Sequence, residues 1–365
     1  MATDSAEEVP TSDPPITAPA TAKDRRIPSL DGLRAVSISL VIAWHIALRV
    51  DLPLFRNLWR IDAGNLGVRV FFVISGYLIT TLLLVEHERS GAISLPHFYY
   101  RRTLRIAPAL LAFLIGMGIV AGLGLLPSGL RVRDLLVAGT YTANYLPTSP
   151  LVAHTWSLAV EEQFYLLWPG LLVFLGVQRG FRVALAMLFI APVLRTLALH
   201  SSVWPDNPRY AFECVADALA TGCLLSRFRT MLWANARYRR LLCSREFRCW
   251  PVAVALIAFG TVRWPTVGAV VGISLLNISV GMGIDWSLRF PETFPARFLN
   301  FAPVVYVGTL SYSLYLWQQP FLSTHLRWPL PVSLLALALT ALASFYLVEK
   351  PALRMRSRYE RRIFG

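Results

Sequence analysis

The stretch His154–Pro169, HTWSLAVEEQFYLLWP, sets two adjacent carboxylates, Glu161 and Glu162, at the head of an apolar run that continues through GLLVFLGV to Val177. About 20 mainly apolar residues suffice for a helix to cross a bilayer core, and this segment is that long. Carboxylates are costly at such depth and face a cavity or a partner. The stretch therefore predicts a membrane helix with a polar site inside it.

Apolar windows of this kind recur along nearly the whole chain. Of its 365 residues 55% are hydrophobic and 15% charged, and the mean hydropathy is +0.53. Soluble domains carry about 25% charged residues. The expected fold is all-α, a polytopic membrane bundle of about ten transmembrane helices at 33–50, 67–85, 106–125, 157–177, 181–199, 210–225, 250–262, 266–284, 303–322 and 329–348.

The net charge is +14, but the arginines gather in short segments between apolar runs. That is the pattern of positive-inside topology, and it excludes a nucleic-acid surface. Arg25 and Arg26 precede the first span, Arg89, Arg101, Arg102 and Arg105 follow the second, and Arg227, Arg229, Arg237, Arg239, Arg240, Arg245 and Arg248 follow the sixth. All fall on one side only if the run at 134–146 does not span. The expectation is a multi-pass protein of the cytoplasmic (inner) membrane with both termini cytoplasmic. Arg131 and Arg133 land outside, against the trend. Residues 1–24, rich in Pro, Thr, Ala and acids, have the composition of a disordered tail and no cleaved-signal pattern. The domain division expected is a disordered cytoplasmic tail (1–26), a membrane domain (27–351) and a basic cytoplasmic tail (352–365). Cys214, Cys223, Cys243 and Cys249 show no CxxC or metal spacing, so reduced thiols and no metal are expected.

The ionisable groups within apolar runs are Arg34, His45, Arg69, Glu161, Glu162, Arg195, Glu213 and Asp217. Arg34 and His45 lie eleven residues apart, a rotation of about 1100°, so both project to one helix face about 16 Å apart along the axis. Singly, Arg34 reads as a snorkelling anchor and His45 as a packed histidine; together they read as two stations along one cavity. Glu161 and Glu162 point about 100° apart, so at most one faces that cavity squarely. Glu213 and Asp217, at i and i+4, could bind a cation, hold an arginine such as Arg195, or share a proton. No GxSxG, P-loop, HExxH or dinucleotide fingerprint is present, so any chemistry must come from the intramembrane groups.

The blocks SLDGLRAVSISLVIAWH, GVRVFFVISGYLIT, FYYRRTLRIAPAL, HTWSLAVEEQFYLLWP, YVGTLSYSLYLWQQP and LVEKP resemble, in order from Ser29 to Pro351, those of the acyltransferase-3 family of integral-membrane O-acyltransferases. The resemblance implies a ten-helix bundle that moves an acyl group, often acetyl, from cytoplasmic acyl-CoA to a hydroxyl of a glycan or glycoconjugate. Acyl-CoA (acetyl-CoA) is then a co-substrate, with no bound cofactor, and the other partners are a carbohydrate acceptor and the bilayer. The family's Arg-x10-His element falls on Arg34 and His45, its Arg-x-x-Arg element on Arg102 and Arg105, and its double-Glu block on Glu161 and Glu162. Two positions depart: Gln318 follows Trp317 where many relatives carry histidine, and Arg69 stands where an acidic or amide residue is common. Some relatives add a C-terminal SGNH-type hydrolase domain; the chain stops soon after its last span, so a stand-alone membrane module is expected.

The roles that follow place Arg102 and Arg105 on the phosphates of the donor, where guanidinium forks bind well, with Arg34 on its next part. His45 is the expected general base, oriented by Glu161 or Glu162. Trp156, Ser157 and Tyr165 are candidate acceptor or oxyanion contacts. The rival readings are a proton-coupled transporter and an acyl-translocating partner with no transferase chemistry of its own.

Overall fold

The computed structural model describes residues 27–364 apart from 51–52, 127–128, 201–209, 325 and 327. The expected N-terminal tail, 1–26, lies outside the described residues. Ten helices carry the architecture: α1 (Pro28–Arg49), α2 (Ala63–Ser90), α3 (Leu95–Gly122), α4 (Thr155–Leu175), α5 (Val177–His200), α6 (Phe212–Ala234), α7 (Trp250–Arg263), α8 (Pro265–Arg289), α9 (Ala302–Leu322) and α10 (Leu330–Ala343). Their ends follow local chemistry. Proline opens α1 and α3, where its missing N–H is no loss. Asp62 caps α2 by accepting from the Asn65 N–H at 3.4 Å, and Gly91, with φ of 71°, ends it. Gly176 alone, with φ of 80°, separates α4 from α5.

Among the described residues, seven helices are long and apolar enough to cross a membrane: α1 to α5, α8 and the segment Leu330–Arg358. The other three expected spans also form helices. The first of these, α6, carries Glu213, Asp217, Arg227 and Arg229, while α9 is rich in Ser, Tyr and Gln. With only 14 residues, α7 reaches about 21 Å against a core of about 30 Å. Two expected loops are ordered helix. The basic segment after α6 folds into Ala236–Cys243 and a turn at Arg245–Cys249, and α10 runs on through a π-helical stretch, Ser344–Glu349, into Lys350–Phe364. The 134–146 run contributes only the short helix Val132–Gly139.

The outer surface is apolar, and the interior sets polar and charged groups beside a large apolar core, as expected of helices solvated by lipid. Leu111, Ile115, Phe174, Phe189, Leu339 and Leu347 are exposed, whereas Asp217, Asn277, Asp285, Ser313 and Gln318 are fully buried. At its centre α2 and α6 touch backbone to backbone. A Cβ on Gly76 would lie 2.1 Å from the Leu219 carbonyl oxygen, and one on Gly222 would lie 2.1 Å from that of Val73. Small residues permit this approach, and in lipid such packing replaces the hydrophobic drive. The same device joins α9 to α1, where a Cβ on Gly308 would meet the Asp31 carbonyl oxygen at 1.8 Å.

Candidate active site

Two cavities open along α1, one around each end of its Arg34–His45 face. The larger, about 850 Å³, is lined by Trp44, His45, Arg69, His154, Trp156 and Gln318 among others. The smaller, about 80 Å³, is lined by Arg34, Arg102, Arg105, Ser157, Glu161 and Tyr165 among others. Val68 and Tyr315 line both. The Tyr315 hydroxyl donates to the His154 carbonyl at 2.9 Å and is hydrogen-bonded to the Ser157 hydroxyl, so it forms a septum between the two.

In the larger cavity, His45 Nδ1 lies 2.8 Å from the Val41 carbonyl oxygen. A carbonyl can only accept, so Nδ1 carries the proton and Nε2 keeps its lone pair. The Gln319 side chain lies against the ring, and Trp44 meets it edge-on at 4.9 Å. Trp156 stacks on Tyr210 with ring centroids 4.1 Å apart.

In the smaller cavity three guanidiniums converge. Arg34 pairs with Asp31 at 3.2 Å. Arg102 lies over the Tyr165 ring, 3.7 Å from its centroid, and its Nε is buried without a partner. Arg105 lies in the fields of Arg34, Arg102 and Glu349. The adjacent Arg101 turns away to Glu86 at 3.0 Å. The two arginines three residues apart on α3 line one cavity, as their spacing suggested, and the arginine of α1 joins them there.

The expected contact between His45 and one of the glutamates is absent among the described residues, and this corrects the sequence reading. Glu161 accepts from Ser75 Oγ at 2.7 Å, and Ser75 Oγ accepts from Tyr165 at 3.1 Å. Arg102 and Arg34 act on Glu161 through their fields. Glu162 keeps one buried oxygen without a partner. The reason is depth: Glu161 stands six residues inside the start of α4, about 9 Å along its axis, and faces the arginines instead of the imidazole. Ser157 and Tyr165 lie on the arginine side, and only Trp156 of the three acceptor candidates is in the His45 cavity.

The alternatives for α6 are also resolved. Arg195 bonds both oxygens of Asp217, at 3.3 and 3.1 Å, and also Ser274 Oγ and the carbonyls of Cys214 and Ala269. Glu213 instead accepts from Tyr145 at 2.7 Å.

Three polar residues in or beside these cavities were given no site role by sequence reasoning. His154 is buried between Phe113 and Tyr315; the Leu316 backbone lies against it, but neither ring nitrogen has a hydrogen-bond partner. Gln318 is fully buried with both amide atoms unpartnered. Glu349 accepts from Ser313 at 3.1 Å, turned inward by the π-helical stretch. The signal for Glu349 was present, since LVEKP is an ionisable block at the end of the last apolar run.

Residues 27–349 match the family described as acyltransferase domain. The chain is similar to the O-acetyltransferase OatA of Staphylococcus aureus (strain NCTC 8325 / PS 47), 31% identical over 90% of this chain and 57% of the relative. It is also similar to the peptidoglycan O-acetyltransferase OatA of Listeria monocytogenes, 28% identical over 81% of this chain and 49% of the relative. The chain spans about half the length of these curated relatives. No solved structure matches it. With the match covering nearly all of the described residues, and with the polar core built from the same sequence blocks, the chain belongs to the acyltransferase-3 family.

Proposed function

We propose that the chain transfers an acetyl group from acetyl-CoA, held at the Arg34 end, to a hydroxyl of a cell-envelope glycan held in the His45 cavity. The observation that carries this reading is the meeting of the two cavities at Tyr315 and Val68. One presents three guanidiniums, the other an imidazole whose Nδ1 is held by the Val41 carbonyl and whose ring meets the Gln319 side chain.

Arg102 and Arg105 bind the donor's phosphates with charge-assisted bonds, and Arg34 binds nearer the pantetheine arm. Glu161, tied to Ser75 and Tyr165, offsets the arginine charge when no donor is bound and keeps Tyr165 under Arg102. An arm running along α1 bridges the roughly 16 Å from Arg34 to His45 and brings the thioester to the septum. A cavity of about 80 Å³ does not hold such an arm, so Tyr315 and Ser157 part as it enters. His45 Nε2 then takes the proton of the acceptor hydroxyl as its oxygen attacks the thioester carbonyl. The C–S bond breaks, CoA leaves as thiolate, and the imidazolium returns the proton to it. In this reading the Arg34 end and both termini face the cytoplasm, and the His45 cavity opens outside.

The test is acceptor-dependent release of CoA by the purified protein in nanodiscs, with labelled acetyl recovered on a peptidoglycan fragment. Release of CoA with the label on the glycan is expected. Passage of acetyl-CoA or acetate across a vesicle wall without ester formation would favour a transporter instead.

A further inference from the structure

We propose that the acceptor glycan is acidic, and that Arg69 binds its carboxylate or phosphate group in the His45 cavity. This rests on the transferase reading and names its acceptor class.

Arg69 lines the same cavity as His45, on α2, and is only 4% exposed. A guanidinium offers five N–H donors. Among the described residues Arg69 makes one hydrogen bond, from Nη1 to Asn277 Oδ1 at 3.3 Å, and no carboxylate lies within 4 Å of it. Arg195, on the wall of the same cavity, shows what a structural arginine looks like at this depth: Asp217, Ser274 and two backbone carbonyls take its donors. That arrangement also removes Asp217 as a partner for Arg69, since its oxygens are held by Arg195 and by Ser274 at 2.6 Å. Asp62, the other carboxylate acting on Arg69, is occupied at the start of α2 by the Asn65 N–H. It precedes Arg69 by seven residues, about 10 Å along the helix.

A second group points the same way. Asn277 is fully buried and gives its oxygen to Arg69, while its Nδ2 has no partner. Asn277 thus backs Arg69 from behind the cavity wall and lends it no charge, which leaves the guanidinium uncompensated inside a bundle where such a cation is expensive. An oxyanion on the ligand supplies both the charge and the acceptor atoms, in the forked geometry that arginine matches well. The remaining walls suit a sugar. The Trp156–Tyr210 stack offers a flat apolar face, and Asn65, Gln318 and Gln319 offer amides. A neutral glycan would satisfy those groups and leave Arg69 unmatched.

The experiment measures binding and transfer separately on the full chain in nanodiscs. The probes are a glucuronate-containing disaccharide, its carboxyl-reduced neutral counterpart, and N-acetylglucosamine 1-phosphate. The native protein should bind at least one anionic probe about tenfold or more tighter than the neutral sugar, as expected for one charge-assisted contact. Which anionic probe is preferred identifies carboxylate or phosphate. Arg69→Gln should bring the anionic probe down to the affinity of the neutral one, and Arg69→Lys should keep part of the preference. Equal binding of charged and neutral probes by the native protein overturns the proposal, as does a preference that survives Arg69→Gln. Charge-selective, Arg69-dependent binding without acetyl transfer supports the anion site and overturns the transferase reading instead.

Discussion

The Nδ1 atom of His45 is held 2.8 Å from the carbonyl oxygen of Val41, one helical turn earlier. A backbone carbonyl fixes the tautomer of this imidazole, where a catalytic carboxylate was expected to do so. His45→Ala should lower acetyl transfer by a factor of about 10² to 10⁴ with acetyl-CoA binding retained. The native rate should rise with pH through the imidazole range, because the deprotonated Nε2 is the active form. Glu161→Gln should leave the midpoint of that profile in place and alter donor affinity. A midpoint shift in the glutamine variant would restore a direct link between the two residues.

The donor pocket gives a graded prediction along one helix. Each charge-assisted bond from Arg102 or Arg105 to a phosphate contributes about 1.5–3 kcal/mol. The double alanine variant should therefore weaken acetyl-CoA binding at least about 100-fold. Arg101→Ala removes only the partly exposed pair with Glu86, a class of contact worth about 1 kcal/mol or less. Titration of the two variants and the native protein by calorimetry checks the contrast.

Asp217 and Glu213 are one turn apart on α6 yet should differ sharply. Asp217→Ala strands Arg195 in the bundle core, and breaking such a buried pair costs about 3–5 kcal/mol. Glu213→Gln keeps an acceptor for Tyr145 and only weakens that bond, a change of about 1 kcal/mol or less. Thermal melting in detergent should separate them clearly; equal losses would show that the ion pair does not brace the fold.

Two native thiols report topology without engineering. Cys243 and Cys249 are exposed at the basic end, while Cys214 and Cys223 are buried. An impermeant maleimide should label the first two in inverted vesicles and not in intact cells. Burial pushes the Cys243 thiol up from its ordinary value, so less of it is thiolate at neutral pH and labelling should accelerate as pH rises above 8. Labelling in intact cells would reverse the proposed orientation.

What the sequence disclosed about this site was what helix geometry alone determines. The shared face of Arg34 and His45, and that of Arg102 and Arg105, are properties of single helices, and the structure has both. The partner of Glu161 is not such a property, because it depends on how far α4 slides against α2 and α3. Ser75, one of several hydroxyls on α2, gave no hint that it would hold that carboxylate. The sequence did mark α6 and α9 as spans, yet they are not among the seven helices apolar enough to cross by composition alone, because polar side chains such as Asp217 and Gln318 are buried against other helices. Gln318 was visible as a departure from a pattern, but its burial without a partner is a tertiary fact.

The hydroxyl contact between Tyr315 and Ser157 has a bearing on the energetics of the whole cell. A path joining the two cavities would string Glu161, His154 and His45 along an aqueous thread between compartments of different proton potential. Each proton crossing releases about 2.3 kcal/mol per 100 mV. On the proposed transferase reading the protein must also insulate the membrane, and the aromatic ring that lines both cavities is placed to do so. Tyr315→Ala reconstituted in proteoliposomes should dissipate an imposed pH gradient faster than the native protein, and an unchanged decay would place the barrier elsewhere.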